Sequence, residues 1–215
     1  MLTNKKFETI HEYVEDTCKC VPNQIALDFG NRITNFETLQ IISCKVADLL
    51  SSDCNSSEGN LVAIMMDPSD LQVMALLGIL KANCIFVPID PTFPEKRVAY
   101  ILNNSKAKTC ITDRKNPLPE FNGHILYLQY DAQELHYEIN VNPASTSTEF
   151  TKLDRKIVYC YYTSGSTGTL QSNDSNDKVC LKGYVENTRV RSTVSFGCTS
   201  HTHFRWKMFV ATKLT

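Results

Sequence analysis

The sequence lacks several features that would assign it to a protein class at once. It has no C-x-x-C pair, a single tryptophan, and only eight glycines and eight prolines in 215 residues. Its formal net charge is −1, which gives no reason to expect nucleic acid or an anionic membrane as a partner. The most apolar run, residues 71–80, is interrupted by Gln72 and is too short to span a bilayer. We therefore expect no nucleic-acid partner and no membrane span.

Cysteine is plentiful, but its spacing follows no pattern. The nine cysteines are odd in number, and several of them lie inside apolar runs: Cys44, Cys84, Cys110 and Cys160. Buried, reduced thiols are more typical of this arrangement than disulfides or a zinc site. The first residues, Met-Leu-Thr-Asn-Lys-Lys, lack the apolar core of a signal peptide. The expectation is a soluble cytoplasmic protein without a metal site.

Hydrophobic periodicity predicts alternating helices and strands. A helix over residues 4–18 precedes a hairpin at Gly30-Asn31, and a capping box from Thr34 to Glu37 opens a second helix. Further helices are expected after Pro68 and Pro94. Apolar strands are expected at residues 61–66, 84–87, 109–112, 125–129 and 157–162. Residues 130–152 are predicted to form a long loop. The pattern favours an α/β fold with a mainly parallel sheet flanked by helices.

The strand that ends at Tyr162 is followed by six residues drawn only from Thr, Ser and Gly: Thr163, Ser164, Gly165, Ser166, Thr167 and Gly168. Glycine lets the backbone approach an anion closely, and free N–H groups and hydroxyls donate to phosphate oxygens. The alternative is a solvated linker of small residues. A Walker A loop is disfavoured, because Leu170 and Gln171 stand where Gly and Lys are required, although Ser172 fits the Ser/Thr position. The segment is predicted to bind phosphate.

Three ordered segments resemble one enzyme family. They run from Gly78 to Asp90, from Pro91 to Leu102 and from Tyr162 to Gly168. Together they resemble the adenylate-forming (AMP-dependent synthetase/ligase) enzymes. The most similar branch comprises the amino-acid adenylation domains of nonribosomal peptide synthetases and their stand-alone relatives, with acyl-CoA synthetases and luciferases more distant. The resemblance covers about residues 5–168 and implies the N-terminal part of the large adenylation domain, assigned to residues 1–168.

The resemblance also implies a chemistry. In the family, the segment matching Thr163–Gly168 holds the β- and γ-phosphates of ATP, with Mg²⁺ as the accompanying ion. A carboxylate substrate, here favoured to be an amino acid, becomes an acyl-adenylate. The acyl group then passes to a thiol of coenzyme A or of a carrier-protein phosphopantetheine. No residue of this chain is matched to a catalytic or metal-binding role.

The resemblance stops after Gly168. The family continues with Pro-Lys-Gly, whereas this chain has Thr169, Leu170 and Gln171, so the loop lysine is missing. Residues 169–215 are predicted to form an unrelated, irregular and poorly ordered tail. The expected product is a truncated AMP-dependent ligase, arising from altered splicing, a frameshift or a gene-model error, that is inactive by itself. The alternative is a non-catalytic binding or regulatory module derived from the family, so enzymatic activity stays open.

Overall fold

The computed structural model describes residues 9–30, 32–56, 58–114, 121–131, 134–140, 159–162, 180–182, 193–194 and 208–209. Four helices are present in these ranges: α1 (Ile10–Cys20), α2 (Phe36–Ser52), α3 (Asp70–Lys81) and α4 (Glu95–Ser105). The first seven strands are β1 (Ile25–Asp28), β2 (Ile33–Asn35), β3 (Leu61–Met65), β4 (Ile85–Pro88), β5 (Thr109–Thr112), β6 (His124–Asp131) and β7 (Glu134–Asn140). Four more follow: β8 (Tyr159–Tyr161), β9 (Cys180–Lys182), β10 (Thr193–Val194) and β11 (Met208–Phe209).

A seven-stranded sheet organises the fold, in the order β7-β6-β5-β3-β4-β8-β9. The five central strands, β6, β5, β3, β4 and β8, pair in parallel, whereas β7 and β9 pair antiparallel at the two ends. The other described strands form two antiparallel pairs, β1 with β2 and β10 with β11. The prediction of an α/β fold with a mainly parallel sheet is confirmed.

Helices cover both faces of the central strands, which explains the uninterrupted apolar sequence of β3. Val62 and Ile64 belong to the core that contains α1, α2 and α3, and Ala63 and Met65 belong to the core that contains α4. A strand with both faces buried cannot alternate polar and apolar residues. All four side chains are less than a tenth exposed.

The connections that follow β3 and β4 mark the point between these two strands as one at which open parallel sheets form a crevice. Helix α3, which follows β3, packs on one face, and α4, which follows β4, packs on the other. The chain therefore leaves the carboxyl ends of these two adjacent strands in opposite directions. Such a point in an open parallel sheet is where ligands commonly bind.

Two predicted helix starts are wrong. Helix α1 begins at Ile10 and not at residue 4, because the Thr9 hydroxyl accepts the Glu12 N–H and caps the helix there. The cap of α2 is Asn35 and not Thr34, since the Asn35 side-chain oxygen accepts the Thr38 N–H at 2.8 Å. Thr34 is buried and has another role: its hydroxyl donates to the carboxylate of Asp70 at 3.2 Å.

Part of the predicted loop over residues 130–152 is a strand. Strand β7 pairs with all of β6 from Ile125 to Asp131. It buries Leu135 and packs Ile139 against the main core. Polar residues dominate β7 because most of this edge strand faces solvent, and this exposure hid the strand from a search for apolar runs.

The seven cysteines whose side chains the structure describes are free thiols. Cys84, Cys110 and Cys160 are buried, as predicted, but Cys44 is only half-buried and lies 3.3 Å from the Lys81 ammonium. Among the helices in the described ranges, none is both long and apolar enough to cross a membrane.

Candidate functional site

The carboxyl ends of the parallel strands bring polar residues to one edge of the sheet. Asp67 follows β3, Asp90 follows β4, Asp113 and Arg114 follow β5, and Tyr162 follows β8. Phe86 of β4 pairs with Tyr159 of β8. Tyr162, three residues after Tyr159, therefore lies level with Ile89, the residue after Pro88. The chain that continues beyond Tyr162 therefore starts at this edge, one strand from the crevice.

Tyr162 is fixed against α4 by two contacts. Its hydroxyl donates to Oδ1 of Asn104 at 2.9 Å. Its ring meets the ring of Tyr100 edge to face, with centroids 6.3 Å apart and an interplanar angle of 84°. This geometry is favoured for aromatic pairs. On the opposite face of β8, Tyr159 stacks on Phe86 at 5.6 Å. The end of β8 is thus held from both faces of the sheet.

An ion pair and a partly buried carboxyl group lie at the carboxyl end of β5, which β3 and β4 separate from β8. The Arg114 guanidinium contacts both carboxylate oxygens of Asp67 at 2.7 Å. Burial raises the pKa of Asp113, an effect partly offset by the backbone N–H groups of Asp113 and Asp67. One oxygen of Asp113, Oδ1, is buried and accepts no hydrogen bond from the described part of the chain. The carboxyl end of β5 therefore presents mainly hydrogen-bond acceptors, together with one cation that is already paired.

Asp90, the last residue of the first matching segment, has a local structural role. Its Oδ1 accepts both the backbone N–H and the hydroxyl of Thr92, at 2.8 and 2.6 Å. This is the turn in which an Asp side chain replaces a backbone carbonyl. The carboxylate shapes the exit from β4 and is committed to that turn.

The six predicted phosphate-binding residues, Thr163–Gly168, lie outside the described residues. The structure describes only the strand that precedes them and the contacts of Tyr162. Within the described ranges, no group of three or more His, Cys, Asp or Glu side chains is arranged to hold a metal ion. The polar residues after β3 and β5 were missed from the sequence, although charged residues directly after a buried strand are a usable signal. No sequence signal marks Asn104, because it resembles any exposed helical residue.

Sequence comparison identifies the family to which the chain belongs. The sequence model of the AMP-binding enzymes matches residues 14–170, which includes every parallel strand and the Thr/Ser/Gly segment. The chain belongs to the AMP-binding enzyme family. The match ends two residues after Gly168.

This AMP-binding family member is similar to much longer peptide synthases. It is 30% identical over 164 residues to surfactin synthase subunit 1 of Bacillus subtilis, an alignment that covers 76% of the chain and 4% of that protein. It is 27% identical over 214 residues to gramicidin S synthase 1 of Brevibacillus brevis, covering 95% of the chain and 19% of that protein. The second alignment continues past residue 170. The chain thus spans less than a fifth of either relative.

A solved structure shares the fold of this AMP-binding family member. The N-terminal subdomain of NpsA from Klebsiella oxytoca superposes with a TM-score of 0.59 at 22% identity. The alignment covers 76% of the chain and 41% of the subdomain. At this identity the similarity concerns the fold. It confirms that the mainly parallel sheet and its helices have the fold of that N-terminal subdomain.

Proposed function

We propose that this chain supplies the phosphate-binding part of an adenylation site. The parent reaction is ATP-dependent adenylation of a carboxylate, followed by transfer of the acyl group to a thiol. The observation that carries the proposal is the position of β8, whose carboxyl end lies beside β4 and the crevice. Nucleotides bind at such positions in open parallel sheets. The Thr/Ser/Gly segment follows there directly, with backbone N–H groups and hydroxyls suited to phosphate oxygens.

An amino acid is the proposed class of carboxylate. The peptide synthases named above support it, since peptides are built from amino acids. The proposed thiol acceptor is coenzyme A or the phosphopantetheine of a carrier protein. The similarity to NpsA-ThdA of Klebsiella oxytoca, an artificially fused adenylation–PCP di-domain, supports the carrier protein. Mg²⁺ is proposed to arrive with ATP. The free thiols support a reducing, cytoplasmic compartment.

The 215-residue chain alone is proposed to bind ATP weakly and to catalyse no adenylation. Leu170 stands where the resemblance places the loop lysine. A hydrogen bond to a charged group contributes roughly 1.5–3 kcal/mol, so its loss weakens binding by about 10- to 150-fold. Phosphoryl chemistry depends mainly on positioning and on charge stabilisation, so this missing cation affects the transition state as well as the ground state.

Restoring the lysine tests this proposal. We expect the triple variant Thr169→Pro, Leu170→Lys, Gln171→Gly to bind Mg·ATP at least roughly tenfold more tightly than the parent chain, measured by isothermal titration calorimetry. The matched control carries methionine in place of the lysine within the same triple variant, so it changes the loop backbone equally without adding charge. Equal affinities for the two triple variants would contradict a phosphate-binding role for this segment.

Activity is tested separately. We expect no ATP–pyrophosphate exchange by the parent chain with any proteinogenic amino acid. Exchange above background would refute the proposed inactivity. Tight Mg·ATP binding by the parent, together with no exchange, would instead favour a non-catalytic binding or regulatory module.

A further inference from the structure

We propose that Asn104 of α4 is a positioning residue for the Thr/Ser/Gly segment, acting through Tyr162. This inference rests on the proposed function, because it concerns the same phosphate-binding segment. Asn104 accepts the Tyr162 hydroxyl at 2.9 Å, and Tyr162 is the residue immediately before Thr163. The role proposed for Asn104 involves no contact with a ligand or a reacting atom. Its effect is to fix the point from which the segment leaves the sheet.

The contacts on Tyr162 restrict it in two independent ways. The hydrogen bond to Asn104 holds the far end of the side chain. The edge-to-face contact with Tyr100, at 6.3 Å between centroids, holds the ring itself. Tyr100 and Asn104 are four residues apart on α4, so they lie on the same side of that helix. The side chain of Tyr162 is therefore held along its length by α4, which packs in the core that contains Ala63 and Met65.

The sheet restrains the backbone at the same point. Tyr159 stacks on Phe86 on the opposite face, at 5.6 Å between ring centroids and 24° between planes. Cys160 is buried in the core that contains α4, and Tyr162 packs against that same core. The last residues of β8 are thus held alternately on both faces. A strand end held in this way has a defined position and direction as far as Tyr162.

Direction matters for a phosphate-binding segment made only of small residues. Such residues contribute backbone N–H groups and hydroxyls, which bind an anion well only when several converge on it. Fixing a chain segment in one conformation on binding costs conformational entropy, and holding one of its ends beforehand reduces that cost. Because Leu170 stands in place of the loop lysine, affinity depends more strongly on this preorganisation.

The helix offers a matched control for Asn104. Asn103 is the same residue type, is also exposed and precedes Asn104 directly. Neighbouring residues on a helix point about 100° apart. Asn103→Leu therefore makes the same chemical change as Asn104→Leu on the same helix without removing the acceptor of the Tyr162 hydroxyl. Tyr162→Phe removes the donor from the other side and keeps the ring against Tyr100.

The test is Mg·ATP affinity of the full 215-residue chain, measured by calorimetry, together with the urea midpoint of each variant. We expect Asn104→Leu and Tyr162→Phe each to weaken Mg·ATP binding by roughly two- to tenfold, the effect of losing one hydrogen bond. The double variant is expected to lose no more than the larger single loss, since both changes remove one contact. Asn103→Leu is expected to bind as the parent does, and all urea midpoints to agree closely.

Each outcome distinguishes a failure of the positioning role from a failure of the proposed function. If the parent binds Mg·ATP and the Asn104 and Tyr162 variants bind equally well, the positioning role is wrong and the proposed function survives. A loss in Asn104→Leu that is matched by Asn103→Leu, or that merely follows a lower urea midpoint, also overturns it. If neither the parent nor its lysine-restored triple variant binds Mg·ATP, the proposed function fails and the positioning role falls with it.

Discussion

Replacing Gly78 by alanine is expected to destabilise the fold through the contact between α2 and α3. A Cβ atom at this position would lie 2.6 Å from both Cβ and Cγ1 of Val46 and 2.9 Å from the backbone oxygen of Ser43. Carbon atoms in ordinary contact are about 3.5–4.0 Å apart. The two helices would therefore have to separate by about 1 Å. Val46 Cβ is attached to the backbone of α2, so no rotamer change relieves the overlap.

Two opposing effects set the size of this destabilisation. Alanine favours the helix over glycine by about 1 kcal/mol. Overpacking a well-packed core costs about 1–3 kcal/mol, and an overlap with fixed backbone and Cβ atoms corresponds to the upper end. The free energy of unfolding should therefore fall by about 2 kcal/mol. With a urea m-value of about 2 kcal/mol/M, the midpoint should fall by about 1 M.

The assay is equilibrium urea unfolding followed by circular dichroism. Asp48→Ala, on the exposed face of α2, is the control for a change to alanine without steric overlap, and its effect should stay within about 0.5 kcal/mol. A Gly78→Ala midpoint equal to or above that of the parent would refute the reasoning. It would mean that helix propensity outweighs the steric overlap and that α2 and α3 do not approach so closely.

Two further predictions concern buried groups. Asp70→Ala should lower the free energy of unfolding, measured by urea unfolding, by about 2–3 kcal/mol. The buried Thr34 hydroxyl loses its acceptor, and the β1–β2 hairpin loses the ion pair of Arg32. An Asp70→Asn variant as unstable as Asp70→Ala would argue against the hydrogen bond. Stability should also fall as the pH rises above the ordinary thiol pKa of 9.0, because burial raises the pKa of three thiols to about 11 and of a fourth to about 12: Cys18, Cys54, Cys84 and Cys110. Between pH 9 and pH 11, these four thiols lose their protons in the unfolded chain but keep them in the folded chain. The urea midpoint under reducing conditions should therefore be lower at pH 10 than at pH 8. An unchanged midpoint would contradict the burial of these thiols.

Where an element has a strong local signal, its existence could be predicted from the sequence. The unbroken apolar run of β3 indicated a strand buried on both faces, and its bounds agree with the prediction to within one residue. Helix α3 begins where Ser69 accepts the Gln72 N–H, close to the predicted start after Pro68. Strand β5 has the predicted bounds. In each case one short segment contains the whole signal, so no distant contact is needed to recognise it.

Elements that depend on a distant partner were predicted poorly. Thr34 looked like a helix cap because Glu37 follows three residues later, but its hydroxyl binds Asp70, which is 36 residues away. The cap passed to Asn35, which offers an equally suitable oxygen one residue later. Strand β7 carries few apolar residues and exists because β6 offers it a full set of backbone partners. Neither pairing is visible in a local pattern.

The candidate site divides in the same way. The family, the alternation of helices with apolar strands, and the Thr/Ser/Gly segment with its missing lysine followed from the sequence alone, since each of these is a property of neighbouring residues. Only the tertiary structure decided that β8 lies beside β4, that α3 and α4 cover opposite faces, and that Asn104 meets Tyr162 across 58 residues of chain. Strand order and helix placement arise from burying apolar surface throughout the domain. That choice is made by the whole chain together and is written in no single segment.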